Sequence, residues 1–222
     1  MSPRTLAVSD RLQDYLLEIG LREHPELRRL RQRTDAMPDG GMRSSAEQAQ
    51  LLAFLIELIG ARSVLEIGCF TGYGTLAMAL ALPPEGRVTT LDVNDDWPAI
   101  GREHWRAAGV AERIELRLGL ALDSLEALLA EGAAGSFDLA YVDADKKLYD
   151  AYYERALALV RPGGIVALDN VLWRGLVADP ANQDRQAATL RALNAKIHAD
   201  ARVTPVLLPL GDGLTLARKR PV

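Results

Sequence analysis

From residue 63 onward, short runs dense in apolar and β-branched side chains alternate with longer stretches whose apolar positions recur every three or four residues. The short runs predict strands at residues 63–67, 87–91, 114–118, 137–142 and 164–168, and the stretches between them predict helices at 75–82, 95–108, 123–131 and 148–160. Strands alternating with helices imply a parallel sheet with right-handed crossovers. After a loop at 170–180, a last helix is expected to reach about residue 199. Two further runs, 203–208 and 214–217, flank Pro209-Leu210-Gly211-Asp212-Gly213, which predicts an antiparallel hairpin closing the sheet edge.

Upstream, the first forty residues read as helix, with Leu12, Leu16, Ile19, Leu27 and Leu30 as apolar positions among many charges. Met37-Pro38-Asp39-Gly40-Gly41 breaks that pattern. Ser44 or Ser45, followed three residues on by Glu47 or Gln48, then caps a helix running to about Gly60. The expected fold class is α/β: a doubly wound, mostly parallel seven-stranded sheet with a C-terminal antiparallel hairpin and extra N-terminal helices. No internal repeat, low-complexity tract or linker interrupts it, so residues 1–222 are expected to form a single domain in which 1–41 are a helical extension.

Charge removes one class of partner. The 30 acidic side chains outnumber the 26 basic ones, and the basic ones are scattered, so no nucleic-acid footprint is present. Cys69 is the lone cysteine, which excludes an intrachain disulfide and a cysteine zinc cage and fits a reducing compartment. Residues 1–20 lack the basic-then-apolar order of a secretory signal, and the most apolar stretch, 51–59, is short and contains Glu57. A cytoplasmic protein without a membrane span is expected.

Two constellations carry candidate chemistry. The first is the loop after the first strand, Gly68-Cys69-Phe70-Thr71-Gly72-Tyr73-Gly74, at the place where open α/β sheets bind ligands. Its glycine spacing differs from the G-x-G-x-x-G turn that seats a pyrophosphate, which disfavours a dinucleotide and with it a nicotinamide oxidoreductase. Asp92 follows the second strand, 24 residues after Gly68, where a carboxylate can accept hydrogen bonds from ribose hydroxyls. A glycine loop with a ribose-binding acid but no phosphate pattern suits S-adenosylmethionine. The plainer alternative is that Gly68 and Gly72 permit close helix–strand packing and Asp92 caps the next helix.

The second constellation is Asp143-Ala144-Asp145-Lys146 after the fourth strand together with Asp169-Asn170 after the fifth, neighbouring strands whose carboxyl ends share one edge. Oxygen-only donors such as Asp143, Asp169 and Asn170 favour a hard divalent cation, Mg²⁺ first, with Mn²⁺ or Ca²⁺ as alternatives. Asp145 reads as a helix cap. His24, His104 and His198 read as members of solvated helix faces, and Trp97, Trp105, Tyr152 and Tyr153 as packing residues. Trp173, just past Asn170, is the aromatic expected to wall a substrate pocket.

Taken in order, Met42-Arg43-Ser44-Ser45, Leu65-Glu66-Ile67-Gly68 with Thr71-Gly72-Tyr73, Val142-Asp143-Ala144-Asp145-Lys146, Asp169-Asn170-Val171-Leu172-Trp173 and Leu210-Gly211-Asp212-Gly213-Leu214-Thr215 resemble the cation-dependent O-methyltransferases, the family that includes caffeoyl-CoA and catechol O-methyltransferases. The resemblance covers about residues 42–219. It implies the Rossmann-like methyltransferase fold, a homodimer, and a small catechol-like acceptor whose vicinal hydroxyls chelate the cation. By the same resemblance Ser44, Glu66, Gly68, Gly74, Asp92 and Ala121 line the cofactor site, together with Cys69, Gly72, Val93 and Asp143, and Met42 lies near the transferred methyl. Asp143, Asp169 and Asn170 hold the cation, Lys146 acts as base with Asp143 as its catalytic partner, and Trp173 and Arg174 face the acceptor. Three positions depart from the family's pattern: Gly74 stands where serine is frequent, Leu120 where proline or a polar residue is frequent, and Arg174 where the plant enzymes carry asparagine. Rival readings are a metal-independent methyltransferase acting on protein or RNA and a non-catalytic S-adenosylmethionine-binding protein.

Overall fold

Along each central strand, alternate side chains enter two different hydrophobic layers, as a period of two requires. Val64, Val88, Leu139, Tyr141, Ile165 and Ala167 belong to one layer; Leu65, Ile67, Leu91, Ala140, Val142, Val166 and Leu168 belong to the other. Both faces of the sheet are therefore covered, which is why these segments read as near-continuous apolar runs. The computed structural model describes residues 6–221. Residues 1–5 of the expected helical extension lie outside them.

The strands are β1 (Ser63–Ile67), β2 (Arg87–Asp92), β3 (Ile114–Leu118), β4 (Phe137–Val142), β5 (Val160–Leu168), β6 (Val203–Leu208) and β7 (Leu214–Lys219). They form one sheet in the order β3-β2-β1-β4-β5-β7-β6. The first five are parallel, with Leu65 opposite both Thr89 and Ala140; β7 runs antiparallel between β5 and β6, with Ala167 opposite Leu216. The winding reverses between β1 and β4, and the carboxyl ends of those strands border the crevice expected at such a switch point. β5 begins at Val160, earlier than the expected residue 164, because a register shift between Phe137 and Leu139 accommodates the Pro162-Gly163-Gly164 segment within the pairing.

The helices are α1 (Asp10–Gly20), α2 (Pro25–Asp35), α3 (Ala46–Leu58), α4 (Tyr73–Ala81), α5 (Asp96–Ala107), α6 (Ala121–Ala130), α7 (Tyr149–Leu159) and α8 (Arg185–Ala199). α3 starts where expected: the Ser45 hydroxyl accepts from Gln48 N at 3.2 Å. The extra N-terminal helices expected are two, and the chain breaks between Gly20 and Pro25. Pro25 has no N–H to donate into a preceding turn, and His24 Nδ1 accepts from Glu26 N, so the chain restarts as a new helix there. α1 buries none of its residues, whereas Leu27 and Leu30 of α2 enter the core. No helix among the described residues is long and apolar enough to cross a membrane.

α2 is fastened to the glycine loop and α4 by polar contacts. Arg31 donates twice to Glu23, at 2.8 and 2.7 Å, Tyr73 Oη donates to Glu23 at 2.9 Å, and the buried Thr34 and Thr71 hydroxyls lie 2.8 Å apart. Gly72 takes a left-handed conformation (φ 76°) at the start of α4, and a Cβ there would overlap the Trp105 ring, whose Nε1 donates to Gly72 O at 3.2 Å. Gly72→Ala is expected to cost about 2–5 kcal/mol, the left-handed penalty of ~1–2 kcal/mol plus an overpacking term of ~1–3 kcal/mol. A denaturant midpoint unchanged from wild type would contradict this.

Candidate active site

The carboxyl ends of β1, β2, β4 and β5 open into a cavity of about 1380 Å³. That exceeds the ~300–1,000 Å³ usual for one small-molecule site and leaves room for two ligands side by side. One half is built on the glycine loop, the other on the strand ends that carry Asp143 and Asp169.

Gly68 has φ 99°, and a Cβ there would overlap the Asp143 carbonyl oxygen, so only glycine lets the loop pass this close to β4. Asp92 braces the same loop: its Oδ2 accepts from Cys69 N at 3.0 Å and Phe70 N at 2.8 Å, and its Oδ1 from Asn94 N at 2.9 Å. Asp92 does not cap α5, because the Asn94 side chain accepts from Asp96 N and Trp97 N instead. Met42, Ser44, Glu66, Gly68, Cys69, Gly74, Asp92, Val93, Ala121 and Asp143 all line the cavity. Gly72 is not among the lining residues, unlike its neighbours Thr71 and Tyr73, and a Cβ there would meet the Trp105 ring, which does not line the cavity.

Glu66 lies at the base of this half, 1% exposed. Thr90 Oγ1 donates to its Oε2 at 2.7 Å and Thr75 Oγ1 donates to the same oxygen, while Oε1 points to the space above Gly74. Burial, reinforced by the nearby Asp143 charge, pushes the Glu66 carboxyl up to about 8 against the two hydroxyl bonds. A Cβ at Gly74 would sit 2.8 Å from Oε1 and 3.9 Å from Ser44 Oγ. Opposite, the Phe70 and Trp97 rings meet edge to face, 5.1 Å between centroids, and both border the cavity. Trp97 is thus a pocket residue and not only a packing one, and Tyr152 also touches the cavity; Trp105 packs as expected, 3% exposed.

In the other half, Asp169 is 3% exposed and fixed from two sides: Oδ2 accepts from Tyr141 Oη at 2.8 Å and Oδ1 from Asn170 N at 2.6 Å. Burial and then the charge of Asp143 push its carboxyl up to about 7. Asn170 has φ 56°, a left-handed position that asparagine tolerates. Lys146 is 8% exposed; its Nζ donates to Asp143 Oδ1 and to Tyr149 Oη, each at 2.8 Å, and lies 4.8 Å from the Tyr149 ring centre. Asp145 caps the turn that carries this lysine, accepting from Lys147 N at 3.2 Å, as expected. Among the described residues no group of three or more His, Cys, Asp or Glu side chains is placed to hold a metal, so a cation here would depend on two carboxylates and the Asn170 amide.

The segment Trp173–Ala178 forms the rim, with Trp173 and Arg174 at φ 46° and 54°. Strain of this kind persists only where surroundings impose it. Trp173 Nε1 donates to Asp184 Oδ1 at 3.1 Å, Arg174 N to Asp212 Oδ1 at 2.5 Å, and the Arg191 guanidinium donates to the carbonyls of Leu176, Val177 and Asp179. Both expected acceptor residues, Trp173 and Arg174, therefore border the cavity on a braced loop, and Leu120 borders it as well.

Of the histidines, His24 caps α2 and His198 is exposed. His104 departs from the expected solvated face: α2 covers it, its Nδ1 lies 3.0 Å from Glu26 Oε2, and its Nε2 is buried without a partner. Sequence reasoning missed Gln48, Tyr141 and Tyr149. Gln48 Nε2 donates to Tyr141 Oη at 2.8 Å, and Ser44 Oγ lies 2.8 Å from the same oxygen. The available signal was Gln48 itself, a polar residue amid the apolar positions of α3; nothing local distinguishes the two tyrosines.

The chain was compared with known proteins. A family model described as O-methyltransferase matches residues 17–220. Catechol O-methyltransferase domain-containing protein 1 of Mus musculus is 52% identical over 208 residues, 94% of this chain and 79% of the mouse protein. Caffeoyl-CoA O-methyltransferase of Eucalyptus gunnii is 39% identical over 224 residues, 97% of this chain and 90% of that protein. The O-methyltransferase TomG from Streptomyces achromogenes, solved in complex with SAM (S-adenosylmethionine), superposes with a TM-score of 0.85 at 33% identity, covering 95% of this chain and 96% of that one. Sheet order, ordered motifs and relatives that match along nearly the whole chain agree, and the protein belongs to the O-methyltransferase family.

Proposed function

We infer that the protein transfers a methyl group from S-adenosylmethionine to a hydroxyl of a vicinal dihydroxy aromatic acceptor, with a divalent cation held by Asp143, Asp169 and Asn170. The observation that carries this reading is the juxtaposition, in one cavity, of the loop braced by Asp92 with the Asp143–Lys146 pair and Asp169. The mouse and Eucalyptus relatives carry catechol and caffeoyl-CoA in their names, both vicinal dihydroxy aromatics.

The residues present suit both groups. Two carboxylates whose mutual repulsion helps raise the Asp169 pKa, with Asn170 lining the same cavity, offer an oxygen-only set of the kind hard cations take. Asp92 suits the ribose hydroxyls, the Phe70–Trp97 rings a flat base, and the open Oε1 of Glu66 the amino-acid tail. When bound, S-adenosylmethionine supplies the electrophilic methyl and the cation supplies Lewis acidity toward the acceptor oxygens. Lys146 takes the proton of the reacting hydroxyl; Asp143 Oδ1 and Tyr149 Oη hold its Nζ at that place. Trp173 and the rim exclude water, and Arg174, whose guanidinium has no hydrogen-bond partner among the described residues, meets an acidic or polar substituent of the acceptor.

The test is methyl transfer from labelled S-adenosylmethionine to caffeic acid with Mg²⁺ and again with excess EDTA. Transfer that EDTA abolishes is expected; transfer indifferent to EDTA would overturn the cation and favour the metal-independent alternative. Cation affinity should also depend on pH. A cation binds the ionised form of Asp169, so below about 7 a proton must leave first, and affinity is expected to fall by about tenfold per pH unit below 7 and level off above 8. Calorimetric Mn²⁺ titrations across this range check the sign; affinity that does not change between pH 6 and 8 would contradict the raised Asp169 pKa.

A further inference from the structure

The Tyr141 hydroxyl, behind the cavity wall, joins a residue of each half, Ser44 and Asp169, and its hydrogen-bonding capacity is fully used. A phenolic hydroxyl has one proton to give and two lone pairs to fill. Tyr141 Oη donates to Asp169 Oδ2 at 2.8 Å, accepts from Gln48 Nε2 at 2.8 Å, and has Ser44 Oγ as its third partner at 2.8 Å. With Asp169 ionised, the form that holds a cation, the Gln48 amide nitrogen donates, the carboxylate accepts, and Ser44 is left as donor. Tyr141 and Gln48 are each 1% exposed and Asp169 3%, so these bonds lie in a largely desolvated place where each counts for more than it would in water.

The chain of bonds joins segments that are far apart in sequence. Ser44 belongs to the stretch before α3 that lines the cofactor half, Tyr141 lies on β4 two residues before Asp143, and Asp169 ends β5. The Tyr141 ring also closes the floor beneath Gly74, with its Cε1 3.8 Å from where a Cβ would be. A ligand group that accepts from Ser44 Oγ therefore competes for the one proton that Ser44 gives to the Tyr141 hydroxyl, and that hydroxyl donates directly to the Asp169 carboxylate.

We propose that Tyr141 is a positioning residue that holds the Asp169 carboxylate in its cation-binding orientation and, through Ser44, couples occupancy of the cofactor half to cation affinity. This rests on the reading that Asp169 is a cation ligand. Tyr141 touches neither the acceptor nor the transferred group; it acts through Asp169. The alternative is a tyrosine whose ring merely fills the β4 layer, in which case the hydroxyl contributes to stability alone.

The experiment measures free Mn²⁺ by its electron paramagnetic resonance signal, with and without S-adenosylhomocysteine, on wild type and Tyr141→Phe. Wild type is expected to bind Mn²⁺ about five-fold or more tightly when S-adenosylhomocysteine is present, the lower end of ordinary coupling between sites. Tyr141→Phe keeps the ring, and is expected to weaken Mn²⁺ binding by roughly 10–100-fold, as loss of a residue that orients a ligand does, and to bring the coupling within about twofold of none. Should the phenylalanine variant fail to fold, Ser44→Ala cuts the same chain at its exposed end. With S-adenosylhomocysteine raised until its own binding isotherm shows the site filled, that variant is expected to lose the coupling. Wild-type Mn²⁺ affinity and coupling in both variants would overturn the proposal while leaving the cation reading intact. A wild type that binds no Mn²⁺ would overturn that reading, and this inference with it.

Discussion

Replacing Asp143 by alanine is expected to lower turnover by about 10³-fold or more while changing S-adenosylhomocysteine affinity by less than roughly tenfold. Two losses coincide at this position. The cation set falls to Asp169 and Asn170, and the Lewis-acid contribution at stake is several kcal/mol, at about 1.4 kcal/mol per factor of ten. Lys146 Nζ also loses the oxygen that it holds at 2.8 Å and keeps only Tyr149. The cofactor half is spared because the glycine loop leans on the Asp143 backbone, not its side chain: Asp143 N donates to Ile67 O at 2.8 Å, and its carbonyl is the surface against which Gly68 packs. Asp145→Ala is the contrasting variant. That side chain only caps a turn, so about 1 kcal/mol of stability should go and turnover should stay within tenfold of wild type. Turnover by the Asp143 variant within tenfold of wild type would sink the assignment of this carboxylate.

Much of the framework that places these groups could be read from the chain itself. Strands β1, β3, β4 and β6 have the bounds that their runs predict: β1 and β4 are buried on both faces, β3 and β6 are partly exposed edge strands, and each run is closed by Gly, Pro or a charged residue. Asp143, Lys146, Asp169 and Asn170 share one cavity because each follows directly from the end of a strand whose place in the sheet the alternation fixes. The misreadings have a common origin in contacts distant along the chain. His104 and Trp97 lie on α5, and which of its faces is wet depends on how α2 and the glycine loop pack on it; no periodicity within α5 records that. Gly72 belongs to the ligand loop, yet its carbonyl accepts from a residue 33 positions away, Trp105. The Tyr141 hydroxyl meets partners 97, 93 and 28 residues distant, and in a β4 run that reads as pure core its polar atom gives no signal. The break between α1 and α2 is set locally, by Pro25 at the start of α2.

Lys146→Met is expected to lower the rate of methyl transfer by about 10²–10⁴-fold, the range that a positioned general base contributes, with Mn²⁺ and S-adenosylhomocysteine affinities within a few-fold of wild type. Methionine fills nearly the same volume on the same Tyr149 surface, so what is removed is the nitrogen and not the packing. Arginine is expected to be no better than methionine, because its guanidinium keeps the charge but never gives up a proton to become a base. The dependence on the acceptor separates proton transfer from charge. A base matters most when the hydroxyl holds its proton tightly, so the ratio of wild-type to variant rate should shrink as the acceptor becomes more acidic, approaching unity for a nitro-substituted catechol that is already ionised at the assay pH. If the ratio stays the same across acceptors of different acidity, Lys146 is acting through its charge or by placing Asp143, and the proton must leave by another route. The geometry favours the base: Nζ lies at the cavity wall, 8% exposed, with only two of its bonding directions taken by Asp143 and Tyr149 and the third free to meet an acceptor hydroxyl.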